Sequence, residues 1–300
     1  MRSCTQRWKL KPTVRPSVRA LPASAAAKDM AAVAVEKLAG LILQSRLRKF
    51  SLVEVKVESD GISLLQGKIQ AASVSGRDWE SPAYLTAREL QFCVGEVAID
   101  YTKLLTQQQI VLHNVPVGYG NVVFNARDFG NFITHPLVTC AAAKAVKGKS
   151  FIFNRDTACI QSGPRPAVYF SGTSVHHKRV YSAMMEPALD VHGQPCVRVL
   201  CKELTENPRG ALSAISPNSR VVLQDSDYAR PGPSDIPSQE VSEDLSNFFN
   251  HLLIDLQGVN LSFASMTIMT KDQNSTLTDP CVDLALTLKM VQFPPLNLKF

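Results

Sequence analysis

A strict alternation of apolar and polar side chains over residues 51–58 constrains the fold of this chain more than any other feature. Val53, Val55 and Val57 fall on one face, whereas Leu52 and the charged residues between the valines fall on the other. This period of two predicts a β-strand with one buried and one solvated face. The Asp60-Gly61 pair that follows predicts a turn.

Three more runs of strand character follow the first. They cover residues 69–74, closed by Gly76; 84–99, which includes Leu90, Phe92, Val94 and Val97; and 110–124, which ends in Val122 and Phe124. Gly95 interrupts the alternation of the second of these runs, which predicts a bulge or a bend.

Beyond residue 124 the apolar period changes from two to between three and four. The residues that recur at this spacing are Phe129, Phe132, Ile133, Leu137, Cys140 and Ala143. They predict a helix that begins near residues 125–128 and lays one apolar stripe on the sheet. Pro136 predicts a kink or a break in this helix beside His135.

Residues 29–48 predict an earlier amphipathic helix. Its apolar side contains Ala31, Ala34, Val35, Leu38, Leu41 and Ile42, and its carboxyl end is flanked by Arg46, Arg48 and Lys49. Two interpretations fit, and we favour a helix packed on the core. The alternative is a helix that lies on a membrane surface with its cationic end among lipid headgroups.

The second half of the chain returns to strands. Short strands are expected from Phe151 to residue 200, divided by Ser-Gly pairs at 162–163 and 171–172, by Pro187 and by residues 192–195. Residues 207–239 contain five prolines and few aromatic residues, which predicts a long mobile insertion. Ser242 is expected to cap a helix with a stripe of Leu245, Phe248, Phe249, Leu252 and Leu253, and two strands end the chain.

This order of elements predicts an α+β fold in which a long, curved antiparallel sheet wraps around amphipathic helices. An elongated apolar groove is expected between the sheet and a helix. We divide the chain into a leader (1–27), a first part with helix, strands and second helix (29–206), the Pro-rich insertion (207–240), and a helix and strands that complete the same domain (241–300).

The charge of the chain is concentrated in its leader. The net charge is +6, and residues 1–27 contain six basic side chains and no acidic one, so the remainder is neutral. A neutral body offers no electrostatic footprint for nucleic acid. A leader rich in Ser, Ala, Pro and Arg resembles an organelle transit peptide, and its prolines favour a chloroplast over the alternative, a mitochondrion.

Motifs for catalysis, cofactors and metals are missing from the sequence. The seven cysteines include no Cys-x-x-Cys pair, and the pairs His176–His177 and His192–Cys196 lack a second ligand pair, so we expect neither a metal nor a cofactor. Asp100, Asp128 and His135 could form an acid/base set on a lipid headgroup. The simpler interpretation is that Asp128 caps a helix and His135 packs before a proline, so we expect no enzyme.

Spaced glycine and apolar positions resemble a known family, the LmeA-like phospholipid-binding proteins (the DUF2993 domain). The matching segments are 53–57, 64–69, 74–76, 90–92, 97–100, 128–132 and 135–137, with 252–263 in the second half. The resemblance covers about residues 29–140 and 241–295. It implies a plastid- or envelope-associated protein that binds lipid in an apolar groove, with a fold similar to tubular lipid-binding modules.

The function predicted is therefore non-enzymatic binding, or transfer, of phospholipid or glycolipid by a protein in peripheral contact with a membrane. The candidate groove residues are Val53, Val55, Val57, Phe92, Val94, Phe124, Phe129, Phe132, Phe248 and Phe249. The alternative is a plastid membrane-associated protein that docks an unidentified protein partner through residues 207–239.

Overall fold

The computed structural model describes residues 30–100, 103, 106, 111–145, 150–204, 236–256, 258–269 and 279–292. The leader and nearly all of the predicted insertion lie outside these residues. The helices are α1 (Met30–Arg46), α2 (Gly61–Leu65), α3 (Ala126–Thr134), α4 (Pro136–Ala145) and α5 (Ile236–Asn250).

The strands stand singly or in runs of three to five between and after these helices. Strands β1 to β6 are Leu52–Glu58, Lys68–Ile69, Ala71–Glu80, Thr86–Val94, Val97–Ala98 and Val117–Phe124. Strands β7 to β10 are Phe151–Gln161, Ala167–Ser174, Arg179–Leu189 and Pro195–Glu203, and β11 to β13 are Leu253–Asp255, Val259–Met269 and Cys281–Met290.

The strands form a large sheet, a small sheet and one short pair. The large sheet has seven strands in the order β1-β3-β4-β6-β13-β12-β11, and the small sheet has four in the order β10-β9-β8-β7. All their pairings are antiparallel, and β2 pairs with β5. The expected α+β fold with a long antiparallel sheet is therefore confirmed.

The main core lies where the large sheet, the small sheet, α3 and α5 meet. Eight phenylalanine rings at its centre form a network of ring contacts, with centroids 4.8 to 6.2 Å apart: Phe124, Phe129, Phe132, Phe151, Phe153, Phe170, Phe248 and Phe249. Such pairs add stability beyond the apolar area that they bury. The aromatic network joins both sheets into one folding unit.

Helices lie beside the outer strands of both sheets. On β1, the backbone N–H of Val57 donates to Glu36 Oε1 of α1 at 2.9 Å. On β10, the N–H groups of Val197, Val199 and Cys201 donate to side chains of α5. Because an open strand edge can pair with another chain, these helices protect the sheets.

Several local expectations are confirmed. Strand β1 has the alternating exposure that its sequence predicts. Helix α3 begins at Ala126, within the expected range, but its N-cap is Asn125; Asp128, which was expected to be the cap, is the third helical residue and completes a capping box with Asn125. The helix ends at Thr134, and a second helix begins at Pro136, which confirms the break beside His135.

Other local expectations are wrong in the first half of the chain. Residues 61–65 form a short helix rather than a turn, because the Asp60 side chain accepts a bond from the N–H of Ser63 at 2.7 Å and caps it. Gly76 does not close β3, which continues to Glu80. The fourth predicted strand begins at Val117 rather than near residue 110, and the part before residue 111 lies outside the described residues.

The second half needs four corrections. Leu253 does not belong to the helical stripe, because α5 ends at Asn250 and Leu253 lies in β11, where it is exposed. Ser171-Gly172 lies inside β8, since the Phe151 ring occupies the space beside Gly172. Pro187 lies inside β9, opposite Val197 of β10 and beyond the start of β8, a position with one neighbouring strand where proline is tolerated. Ser242 lies in the middle of α5, which begins at Ile236.

Candidate functional site

The large sheet has one apolar face, which the strand registers define. Residues directly opposite each other in antiparallel strands lie on the same side of the sheet. One row across the sheet is Val55, Val74, Phe92, Gly120, Leu286 and Phe263. The rows on either side of it are Val57, Ala72, Val94, Gly118, Leu288 and Leu261, and Val53, Gly76, Leu90, Val122, Leu284 and Met266. None of these three rows contains a charged residue.

The two halves of this face differ in how well they are covered. On β12 and β13 the side chains of Leu261, Met266, Leu284, Leu286 and Leu288 are buried in the main core. On β1, β3 and β4 seven apolar residues are only partly buried: Val53, Val55, Ala72, Val74, Leu90, Phe92 and Val94. We call these seven residues the open shelf, because the main core buries the rest of the face but leaves these side chains partly exposed.

One aromatic side chain, Trp79, borders the open shelf, and another, Phe92, belongs to it. The Trp79 indole occupies the space where a side chain at Gly76 would lie, and its Nε1–H donates to the carbonyl of Leu52 at 3.0 Å. The Phe92 ring occupies the equivalent space beside Gly120. Each ring thus covers a strand glycine, which lies on the same strand for Trp79 and on the neighbouring strand β6 for Phe92.

The structure divides the ten predicted groove residues into two groups. Val53, Val55, Val57, Phe92 and Val94 lie together on the apolar face, and Val57 is buried at its edge. Phe124, Phe129, Phe132, Phe248 and Phe249 are buried in the aromatic network of the main core. Phe92 and Val94 pack against that core, so the open shelf continues directly into it.

Four contributors to this site were missed among the predicted residues: Ala72, Val74, Leu90 and Trp79. The first three were recognisable as strand residues, and their side of the sheet follows once the register is known. No local pattern identifies Trp79, because its place over Gly76 depends on the left-handed backbone of Asp78, whose φ is 50°.

The candidate acid/base pair does not form a site with a shared proton. Asp128 is buried at the start of α3, where it accepts from the Thr86 hydroxyl at 2.5 Å and pairs with Arg88 at 3.2 Å. His135 follows the last residue of α3, and its Nδ1 accepts from the N–H of Leu137 at 3.3 Å. Seven residues of helix separate Asp128 from His135 by about 10 Å along the axis. The two side chains are therefore too far apart to share a proton.

A second buried carboxylate forms ion pairs in the small sheet. Glu186 contacts Arg165 at 2.9 Å and also pairs with Arg198. Burial alone would raise the pKa of Glu186, but the hydrogen bonds and positive charges of the two arginines outweigh it and hold that pKa below its usual value. A carboxylate shared by two arginines is a poor base, so we assign this trio a structural role.

The histidine and cysteine pairs of the sequence do not assemble a metal centre in the described part of the chain, where no group of three or more candidate ligands occurs. The rings of His176 and His177 lie edge to face, 4.9 Å apart, and His177 Nε2 is 3.5 Å from Glu240. Among the residues that the structure covers, no helix is long and apolar enough to span a membrane.

No protein-family model, curated protein or solved structure matches this chain. The resemblance to LmeA-like proteins, and with it the likeness to tubular lipid-binding modules, therefore stays a prediction. The chloroplast leader and the docking of a partner through residues 207–239 also stay predictions, because residues 1–27 and 207–235 lie outside the described residues.

Proposed function

We propose that this protein binds the acyl chains of a phospholipid or glycolipid along the open shelf of its large sheet. The observation that carries the proposal is the incomplete cover of a continuous apolar face: seven neighbouring apolar side chains on β1, β3 and β4 remain partly exposed. Contiguous apolar surface left open to water is characteristic of sites that bind another molecule.

The chemistry of the shelf favours an acyl chain over a polar ligand. Each buried CH₂ group contributes about 0.8 kcal/mol, so a long chain gains substantial free energy without a charged contact. Since the three rows carry no charged residue, a polar headgroup would remain at the edge of the sheet. The class of the headgroup is therefore left open between phosphate and sugar.

The first test is whether lipid accompanies the protein. Native mass spectrometry and organic extraction of the purified full chain should reveal bound phospholipid or glycolipid, and protein stripped of lipid should take up a fluorescent phospholipid. Protein that is lipid-free and also fails to take up the probe would refute the proposal.

A double substitution tests whether the shelf is the site. In V55T/V74T two opposite valines on neighbouring strands become hydroxyl-bearing residues of similar shape. A buried hydroxyl without a partner costs about 1–3 kcal/mol, so we expect at least about tenfold weaker uptake of the probe. The matched control is V180T/V191T, which alters two exposed valines at the small sheet and should leave uptake unchanged.

Deletion of residues 207–234 separates this function from the docking of a protein partner. The deletion stops short of α5, which begins at Ile236. If the shelf binds lipid, uptake of the probe should survive the deletion. If the chain is instead an interaction protein, a co-purifying partner should be lost and the undeleted chain should show no uptake.

A further inference from the structure

Helix α1 presents its apolar residues outward, the reverse of an ordinary surface helix. The side turned to the sheet consists of Ala32, Glu36, Ala39, Gly40 and Leu43, of which Ala32 and Gly40 are buried. The opposite side carries Met30, Ala34, Leu38, Leu41 and Ile42, which we call the outer stripe. Leu38 is 61% exposed and Leu41 is 63% exposed, although leucine at helical spacing normally faces the core.

The helix is fixed in this orientation. The carboxylate of Glu36 accepts the otherwise free N–H of Val57 on the edge strand, and a helix that turned to bury the outer stripe would lose this bond. The small side chains of Ala32 and Ala39 on the inner side leave room for the helix to lie against the sheet. Helix α2 lies next to α1 and adds a further apolar side chain, Ile62, which is 71% exposed.

We propose that the outer stripe of α1, together with Ile62, docks onto the surface of a bilayer that contains anionic lipid. Four basic residues accompany the stripe: Lys37 on the same side of the helix, and Arg46, Arg48 and Lys49 at its end. Of the described acidic residues beside them, Glu36 is turned inward, and Glu80 is shared by Arg48 and Lys49 at 3.5 and 3.7 Å. Apolar side chains bordered by cations match the interface of an anionic membrane.

A bilayer fits this surface better than a second copy of the chain. Lys37 lies within the outer side of the helix, so a symmetric dimer would bring two ammonium groups together. On a bilayer the same side chain can extend its ammonium group to the headgroups. Stable dimers also engage about 20–30 residues on each subunit, whereas the stripe and Ile62 offer six.

The docking surface adjoins the open shelf. Helix α1 lies along β1, and β1 carries Val53 and Val55 at the edge of that shelf. Docking through α1 would therefore bring the open shelf close to the membrane from which an acyl chain would enter, a consequence that rests on the proposed function.

Sedimentation of the full chain with vesicles of equimolar phosphatidylcholine and phosphatidylglycerol tests the inference. In L38Q/L41Q two leucines of the stripe become neutral polar residues that keep a high helix propensity. Loss of two inserted leucines should weaken vesicle binding about tenfold or more. The matched control, L189Q/V191Q, changes the last residue of β9, which is 63% exposed, and a residue of the following turn, which is 95% exposed, and should bind as the unaltered chain does.

The basic leader is the same in all these proteins, so differences between them report on the helix. Equal binding by L38Q/L41Q and the unaltered chain overturns the inference. A second result would also overturn it: the unaltered chain forms a concentration-dependent dimer but does not bind vesicles, and L38Q/L41Q abolishes the dimer. The stripe would then contact a second copy of the chain.

Uptake of fluorescent phospholipid from solution distinguishes this inference from the proposed function. The L38Q/L41Q protein should retain uptake, because the substitutions leave the shelf intact. A chain that sediments with vesicles through the stripe but takes up no lipid retains the docking surface and refutes the acyl-binding function.

Discussion

At the scale of single residues, three glycines inside strands are each covered by an aromatic ring. Trp79 lies over Gly76, Phe92 over Gly120, and Phe151 over Gly172. An aromatic ring that covers a strand glycine shields the backbone that the glycine leaves bare. Read from the sequence alone, Gly76 and Gly172 indicated strand ends, because glycine weakens a strand and nothing local shows which ring will cover it.

Substitution of one of these glycines should destabilise the fold. In Gly120→Ala the new Cβ would meet the Phe92 ring and would lie 2.8 Å from the carbonyl oxygen of Gln91. Overpacking of this kind costs about 1–3 kcal/mol, which urea unfolding would measure. Gly163→Ala is the control, because nothing lies within 4 Å of its Cβ, and equal stability of the two variants would contradict the assignment.

His135 should make stability depend on pH. Its Nε2 is buried and has no hydrogen-bond partner among the described groups, and burial lowers its pKa. The unfolded chain therefore binds a proton more readily, with a pKa of about 6.5. Stability from this residue is present above that pH and is lost as the pH falls below it.

Comparison with His135→Asn isolates this effect, because asparagine can still accept the N–H of Leu137 at the start of α4. Between about pH 7.5 and pH 5.5 the unaltered chain should lose more free energy of unfolding than the variant, since only its unfolded state gains the proton. Parallel pH profiles from chemical unfolding would show that His135 is not the titrating group.

At the scale of elements, α5 binds the edge of β10 through a ladder of side chains. Ser242 Oγ, Ser246 Oγ and Asn250 Oδ1 accept from the N–H groups of Cys201, Val199 and Val197 at 2.8, 2.9 and 2.8 Å. Four residues of helix rise about 6.0 Å and two residues of strand about 6.6 Å. The two repeats nearly match, so every fourth helix residue meets every second strand residue.

Removal of one of these side-chain hydrogen bonds should lower the free energy of unfolding. Ser246→Ala leaves the buried N–H of Val199 without its acceptor, which costs about 1–3 kcal/mol, although alanine recovers a few tenths through helix propensity. Chemical unfolding and faster exchange of the Val199 amide would report the loss. Asn247→Ala, on the exposed side of α5, should be neutral or slightly stabilising, and a similar loss there would contradict the role of the rung.

The sequence predicts those features of the elements that local chemistry decides. The start of α3 near Asn125, the break at Pro136 and the alternation of β1 each depend on residues within one turn or one strand. The role of Ser242 depends on β10, some 40 residues away along the chain. The orientation of α1 was wrongly expected to bury Leu38 and Leu41, because periodicity defines two sides of a helix but not which side meets the sheet.

At the scale of the whole molecule, the candidate site was only half predictable. Alternation grouped Val53, Val55 and Val57, and it grouped Phe92 with Val94, before any partner strand was known. Alternation cannot separate an open shelf from a closed core, because that difference depends on which elements lie over the sheet. Phe129 and Phe248 are therefore buried beneath other elements, whereas Val55 and Phe92 remain partly exposed.

The position of the last described strand has a consequence for biosynthesis. Strand β13 lies in the middle of the large sheet, between β6 and β12. About 160 residues separate the end of β6 from the start of β13 along the chain. At about 5–20 residues per second, a ribosome needs roughly 8–30 s to make them. During that time the edge of β6 waits for its partner, and other nascent chains can compete for it. The yield of folded protein thus depends on what shields this edge during translation, as well as on the stability of the finished molecule.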